Sequence, residues 1–401
     1  MRHTLLLLVM ASCPVVAAAQ GDVLNPQLEY RIPAGFVYKE VALSPKDARD
    51  LARRHAVLTL LNVSEVSADV AGALVTPYLD TFLTFPALET IDVNAAAKLS
   101  VRRGYLRLWG LKSLTPEVAA ALVASPGQRL EVTGVRHISP EVARVLVSGK
   151  REKLGLGLTA LSADIAEILA EFPGAIWFPH LETLSPEAAA AMSSHRGPLD
   201  LGPARISPAV AEELLRHDAP IGLTSVKRLA PGVGDILARH KSEVRLELEE
   251  IDSAPLAAKL FREPNRSSSV DSLRTMSAEI ARELVQSPSH PSFQRLDSLT
   301  PEAACELAKK PGDIKFWTLA TITAETARAL TDRPKDEAPV RFDGIVALDG
   351  PEAVAVAKAL AETSGRVSLT RLNRVSAEAI AVLRTKSAIT LPPDKQLTIV
   401  P

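Results

Sequence analysis

The chain has 401 residues, of which 46 are Lys or Arg and 47 are Asp or Glu, so its formal net charge is −1. This balance provides no general attraction to nucleic acid or to an anionic membrane, and we expect neither as a partner. Hydrophobic residues make up 47% of the chain, which excludes a disordered protein, yet aromatic residues make up only 4%. A core of Leu, Val, Ile and Ala indicates thin, repeated layers in place of aromatic-rich globular domains.

The first nineteen residues have the pattern of a secretory signal. An apolar run over residues 5–11 follows a basic start, and the small residues Ala17 and Ala19 suit cleavage before Gln20. We therefore expect residues 1–19 to direct export to the periplasm, the cell surface or the medium.

The two cysteines, Cys13 and Cys305, indicate whether the protein could carry a lipid anchor or an internal disulfide. Residues 10–12 before Cys13 loosely resemble a lipobox, so a lipid anchor stays open as an alternative to simple cleavage. If Cys13 leaves with the signal, Cys305 alone remains and no internal disulfide can form. After the signal, no apolar run approaches the ~20 residues that cross a bilayer, so we expect no integral membrane span.

A short segment pairing Ser or Thr with Pro and Glu recurs along the rest of the chain. Its clearest copies begin at Leu114, Ile138, Leu184 and Leu299. Looser copies begin at Leu43, Val66, Ile91, Leu161, Ile206, Leu229, Ile251, Met276, Ile322, Leu348 and Val375. These fifteen anchors span 332 residues in fourteen steps, a mean period of about 24, and a fixed period of this size indicates a repeat architecture.

Each repeat has two halves. Before the anchor lies an alternating run, as in residues 106–109 and 314–317, and a period of two predicts a strand with one buried face. At the anchor, Ser139 can cap a helix, Pro140 suits its first turn, and Glu141 faces the positive end of its dipole. One strand and one short helix cannot bury their apolar sides alone, so stacked copies predict a curved solenoid.

The repeat resembles the leucine-rich-repeat superfamily and is most similar to its 23-residue bacterial surface-protein class. The resemblance covers about nine-tenths of the chain and implies an α/β repeat solenoid, with short parallel strands on one face and short helices on the other. The Phe-Pro pairs at residues 85–86 and 178–179 fit the bacterial class. The superfamily's strand-end Asn is replaced by Leu111, Val135, Leu181, Val226, Leu319 and Leu372. The family implies adhesion and partner binding, and it identifies no individual binding residue here.

The domain organisation follows from the repeats. We expect residues 20–42 to form an N-terminal cap and residues 43–401 to form a solenoid of about fifteen repeats with a C-terminal cap. The irregular stretches 262–275 and 332–339 are predicted to be surface loops, the first of them an insertion.

The outward residues of the strands are the candidate binding residues. All three tryptophans, Trp109, Trp177 and Trp317, fall on this predicted face, as do Arg107 and Lys315. Exposed tryptophans commonly anchor interfaces. The same face carries further charges of both signs, at Glu131, Arg245, Glu247, Arg341 and Asp343. Mixed signs disfavour a polyanion and favour a protein, peptide or glycan.

Signals for catalysis are weak. Cys305 occupies a small-residue helix position, which predicts a buried structural thiol. The histidines lack the paired spacing of a metal site and are predicted to be solvated loop residues: His55, His137, His180, His195, His217, His240 and His290. We therefore expect no catalytic residue, metal site or cofactor.

These observations predict an exported, monomeric, non-enzymatic repeat protein that binds a protein, peptide or glycan through its sheet face. A passive envelope scaffold without a specific ligand is the alternative.

Overall fold

The computed structural model describes residues 35–75, 82–101, 104–124, 127–203, 205–262, 268–288 and 291–401. The predicted signal with Cys13, most of the predicted N-terminal cap, and His290 lie outside these residues. The described chain alternates short strands and short helices, as the repeat predicts.

The strands in chain order are β1 (Phe36–Tyr38), β2 (Val57–Leu60), β3 (Phe82–Thr84), β4 (Tyr105–Arg107), β5 (Gly127–Val132), β6 (Arg151–Leu156), β7 (Ala160–Leu161), β8 (Ala175–Phe178), β9 (Thr183–Leu184), β10 (Leu199–Leu201), β11 (Ile221–Leu223), β12 (Val244–Leu246), β13 (Ser292–Phe293), β14 (Ile314–Phe316), β15 (Val340–Phe342), β16 (Ala347–Leu348), β17 (Val367–Ser368), β18 (Arg374–Ser376), β19 (Ile389–Thr390) and β20 (Thr398–Val400). One sheet contains β1–β6, β8 and β10–β12, and a second contains β13–β15, β17 and β19. The short strands form a β7–β9 pair and a β16–β18–β20 ribbon. Neighbouring strands in both main sheets are parallel.

The helices are α1 (Pro45–Arg54), α2 (Ala68–Ala73), α3 (Val93–Ser100), α4 (Pro116–Val123), α5 (Pro140–Val147), α6 (Ala163–Ala170), α7 (Pro186–Met192), α8 (Pro208–Leu214), α9 (Val233–Ala238), α10 (Ala254–Arg262), α11 (Ser268–Asp271), α12 (Ala278–Val285), α13 (Pro301–Ala308), α14 (Ala324–Thr331), α15 (Ala353–Glu362) and α16 (Ala377–Leu383), with a 3₁₀ turn at Asp394–Gln396. The predicted helix starts are confirmed. Ser139 accepts a hydrogen bond from the Val142 amide at 3.2 Å, and α4, α7, α8 and α13 begin in the same way. Within the described residues, no helix is long and apolar enough to cross a membrane.

The core lies between the strands and the helices. Inward residues such as Leu106, Leu130 and Leu154 are at most 1% exposed, and they pack towards small helix residues such as Ala119 and Ala143, which are fully buried. Alanine lets each helix lie close to the sheet. The apolar residues that replace the strand-end Asn are also buried, and backbone hydrogen bonds such as Val135 N to Val132 O at 3.1 Å close their turns.

One repeat departs from the pattern. Residues 262–275 were predicted to be an inserted surface loop, and residues 263–267 lie outside the described part of the chain. Among the described residues Val270 and Leu273 are only 2% and 0% exposed, so the prediction of a surface loop is wrong for them, whereas Arg274 and Thr275 are exposed. Helix α11 stands where neighbouring repeats carry a strand, and the two main sheets end on either side of it. Backbone bonds from Arg274 N to Glu249 O at 2.8 Å and from Asp297 N to Arg274 O at 2.9 Å continue the stack past it. Residues 332–339 form a loop, as predicted.

Candidate functional site

Strand register brings one residue from each of seven neighbouring strands into a row on the side of the sheet away from the helices. We call it the outward row: Arg107, Glu131, Gly155, Trp177, Asp200, Gly222 and Arg245. Side chains alternate between the two faces of a strand, and the flanking residues of these strands point into the core. The first sheet therefore brings Arg107, Trp109 and Trp177 to one face.

Glu131 is the centre of a buried polar cluster on this face. Its carboxylate is only 2% exposed and accepts a hydrogen bond from Trp109 Nε1 at 2.8 Å. Arg107 Nε lies 3.4 Å and Arg129 Nε 2.7 Å from Glu131 Oε1. Two hydrogen bonds, from Trp109 and Arg107, and the ion pair with Arg129 thus compensate the carboxylate for lost water. Trp109 is itself only 7% exposed, so the prediction of an exposed ring there is wrong. Side chains from adjacent strands cover it.

Aromatic rings hold Arg107 in place. The Phe82 and Tyr105 rings stack with centroids 4.3 Å apart, and the Arg107 guanidinium lies 5.4 and 5.7 Å from them. It also lies 5.7 Å from the Trp109 ring. Such cation–π contacts are worth about 1 to 2 kcal/mol when partly desolvated. Arg107 therefore acts as a structural support of the face.

Beside this cluster, the face opens into a depression of about 470 Å³ around Trp177. We call it the Trp177 depression. Its charged lining residues are Arg129, Lys153, Asp200 and Arg245. The Arg129 guanidinium lies 5.2 Å from the Trp177 ring centre, and Trp177 is half-buried. An indole, three cations and one carboxylate therefore converge on one concave site.

Two glycines of the outward row make room for its larger side chains. A Cβ at Gly155 would lie 3.2 Å from Trp177 Cε3, and a Cβ at Gly222 would lie 2.6 Å from Asp200 Oδ1. Burial raises the pKa of Asp200, and the charges of Arg245 and Arg129 oppose that rise. Asp200 is thus a carboxylate in a partly desolvated, cationic site.

Lys315 and Trp317 form a second group, on the second sheet. Lys315 Nζ lies 3.5 Å from the Trp317 ring centre, and Trp317 Nε1 donates to Ser292 Oγ at 3.0 Å. Asp343 lies 3.5 Å from Lys315 and 3.6 Å from Arg341. Trp317 is 39% exposed, the only tryptophan with the predicted degree of exposure among the described residues.

The predicted site residues therefore do not form a single site. Arg107, Trp109 and Trp177 lie on the first sheet, whereas Lys315 and Trp317 lie on the second. The repeat containing α11 separates them along the chain, so a ligand on the Trp177 depression and one on Trp317 would use different surfaces.

Sequence reasoning missed a buried column of histidines at the ends of the helices. His195, His217 and His240 are 2%, 0% and 2% exposed, so the prediction of solvated loop residues is wrong for them. The His195 and His217 rings are parallel with centroids 6.0 Å apart, and those of His217 and His240 are 6.5 Å apart. His195 Nδ1 lies 3.3 Å from the Ala170 carbonyl oxygen. Of the other histidines described, His137 is exposed, and His55 and His180 are half-buried.

The histidine column could have been found from the position of each histidine within its repeat. Each of the three histidines follows its anchor by eleven residues, and Lys310, Arg333 and Lys386 occupy the same position in later repeats. Arg333 Nη2 donates to the Lys310 carbonyl at 2.5 Å, and Lys386 Nζ donates to the Leu360 carbonyl at 3.1 Å. Side chains at this position therefore satisfy carbonyls near helix ends, where positive charge is also favoured.

Cys305 is exposed on α13, which corrects the prediction of a buried thiol, because its side chain points away from the sheet. The described residues contain no group of three or more His, Cys, Asp or Glu side chains placed to hold a metal ion.

No family model matches the sequence, and no curated protein is significantly similar to it. Similar solved structures include a chain of the Drosophila Toll–Spätzle complex, at 13% identity and a TM-score of 0.39, covering 84% of this chain and 55% of that one. An internalin from Listeria monocytogenes is 9% identical, with a TM-score of 0.37 and coverage of 87% and 88%. A chain of the yeast Rad7–Elc1 complex is 13% identical, with a TM-score of 0.32 and coverage of 70% and 83%.

The chain thus spans about half the length of the Toll-complex chain that it matches. Toll and internalin are leucine-rich-repeat proteins. The parallel strands, the capped helices and the period of about 24 residues make this chain an α/β repeat solenoid.

Proposed function

We propose that this chain is an exported, non-enzymatic repeat protein that binds a protein or peptide on the outward face of its sheet. The observation that carries the proposal is the convergence of an indole, three cations and a carboxylate in the Trp177 depression. Trp317 beside Lys315 provides a second anchor, whereas Trp109 and Arg107 support the face from within it. A glycan is the weaker alternative, because Arg129 lies over the Trp177 ring face on which a sugar would stack.

We further propose a cellular location and a domain organisation for the chain. Residues 1–19 would direct export, residues 20–42 would cap the N-terminus, and residues 43–401 would form the monomeric solenoid of about fifteen repeats, of the 23-residue bacterial class. β1, within the proposed cap, pairs with β2, and β20 pairs with β18 at the other end of the chain. These terminal strands support caps that cover the ends of the stack.

A passive envelope scaffold is the second candidate, and the charge pairing within the face favours it. Glu131 pairs with Arg107 and Arg129, and Asp343 pairs with Lys315 and Arg341, so much of the charge on the face is already paired internally.

Affinity capture with the immobilised mature protein tests the proposal. Trp177→Ala and Trp317→Ala are compared with Arg144→Ala, an exposed change on α5 in the helix layer. A partner retained by Arg144→Ala and lost with a tryptophan variant supports sheet-face binding. Capture that is equal for all variants, or no capture by any, favours the passive scaffold.

A further inference from the structure

The Trp177 depression has an excess of positive charge. Its lining contains the cations Arg129, Lys153 and Arg245 against one carboxylate, Asp200. Arg129 Nε lies 2.7 Å from Glu131 Oε1, and Arg245 Nε lies 3.7 Å from Glu243 Oε1. Lys153 is exposed and has no ion-pair partner among the described residues. Glu131 is shared between Arg129 and Arg107, so one carboxylate faces two guanidinium groups there, and Lys153 adds a further cation to a lining whose own acid is Asp200.

The geometry suits a small carboxylate-bearing side chain. The Arg129 and Arg245 side chains are 24% and 38% exposed, so both are partly desolvated yet reachable. A guanidinium binds a carboxylate with two parallel hydrogen bonds, and it does so more strongly where water is partly excluded. Gly155 and Gly222 leave room for the Trp177 and Asp200 side chains, which lie beside these cations in the lining of the depression.

Asp200 can contribute to binding a peptide. Its carboxylate can accept a hydrogen bond from a backbone amide beside the bound acid. The ring face of Trp177 is already occupied by Arg129. An acidic side chain on an extended segment matches both features better than a stacked sugar does.

We infer that the Trp177 depression is a carboxylate pocket that receives an Asp or Glu side chain from an acidic segment of a protein partner, with Arg129, Lys153 and Arg245 as its ligands. The inference rests on the proposed sheet-face function and specifies the chemistry of its partner.

Two synthetic peptides test it on the full mature chain: acetyl-Gly-Glu-Glu-Glu-Gly-amide and the same peptide with Gln in place of each Glu. Binding is measured by NMR titration at low and high salt. We expect the Glu peptide to bind at least about tenfold more tightly than the Gln peptide, and less tightly at high salt. Lys153→Gln and Arg245→Gln should each weaken it about threefold to tenfold, whereas Arg144→Gln on α5 should leave it unchanged.

The inference would be overturned if the two peptides bound equally or if neither bound. It would also be overturned if Lys153→Gln and Arg245→Gln bound the Glu peptide as tightly as the unaltered protein does. A polygalacturonate fragment that binds through the same residues while the Glu peptide does not would also overturn it, in favour of an acidic glycan. The proposed sheet-face function can be refuted separately from the carboxylate pocket. A captured partner that depends on Trp317 but not on Lys153 or Arg245 refutes only the carboxylate pocket.

Discussion

Acidification should destabilise the middle of the solenoid through the stacked histidines. His217 is fully buried between His195 and His240, and burial, followed by repulsion from these two neighbours, lowers its pKa from 6.5 to about 4. On the next helix, α10, Lys259 Nζ lies 2.6 Å from the His240 carbonyl oxygen. Backbone hydrogen bonds of Ser193 and Gly197 oppose this lowering of the His217 pKa only in part, and no carboxylate is among the groups that act on it. Its imidazole is therefore held neutral without a counter-charge that would favour protonation.

The sign and size of the effect follow from proton linkage. Between pH 6.5 and about 4 the unfolded state binds a proton at His217 that the folded state does not, so stability falls as the pH falls through this window. The full difference corresponds to about 3 kcal/mol, and about 2 kcal/mol of it is already lost at pH 5. Burial lowers the pKa of His195 as well, which adds a loss in the same direction.

Urea unfolding followed by circular dichroism at pH 7.5 and pH 5.0 measures this loss. His217→Gln removes the titrating group and should reduce the loss on acidification by about 2 kcal/mol. His137→Gln, at an exposed position, should not change it. Amide hydrogen exchange should place the acid-induced opening in α7–α9. If His217→Gln loses as much stability between these pH values as the unaltered protein, the reasoning is refuted.

Three further predictions concern other buried and exposed groups. Arg151→Ala removes a buried guanidinium that donates to the Ser100 carbonyl and, at 2.6 Å, to the Leu122 carbonyl. Urea unfolding should therefore show that the free energy of unfolding falls by about 3 kcal/mol. A fall below about 0.5 kcal/mol, the size expected at an exposed position, would contradict this prediction. Trp317→Phe should remove most of the tryptophan emission that acrylamide quenches, whereas Trp109→Phe should remove little, because these rings are 39% and 7% exposed. The exposed Cys305 thiol should react with Ellman's reagent in the folded protein, and reaction only after unfolding would contradict its placement.

The amino-acid sequence alone determined the architecture. The period of about 24 residues, the alternating runs and the Ser-Pro-Glu helix starts are local signals, and each is repeated often enough that single departures do not obscure it. Strands, capped helices and parallel sheets follow from them. The histidine column also follows the repeat, since each histidine is the eleventh residue after its anchor. Its burial could not be predicted from one repeat, because histidine is polar and a single repeat would leave it at the surface. Only the stacking of α7–α9 makes that position buried.

The tertiary structure decided which outward residues are accessible. Trp109 and Trp317 each follow a cationic residue by two positions, so the sequence predicts the same exposure for both. Trp109 Nε1 meets the buried Glu131 of the next strand, whereas Trp317 Nε1 meets Ser292 and its ring stays in solvent. The exposure of a side chain on a sheet depends on neighbours about 5 Å away on adjacent strands, which in this solenoid lie more than twenty residues away in sequence. Those neighbours also shape the Trp177 depression, because its lining residues Arg129, Asp200 and Arg245 belong to different repeats from the tryptophan at its centre.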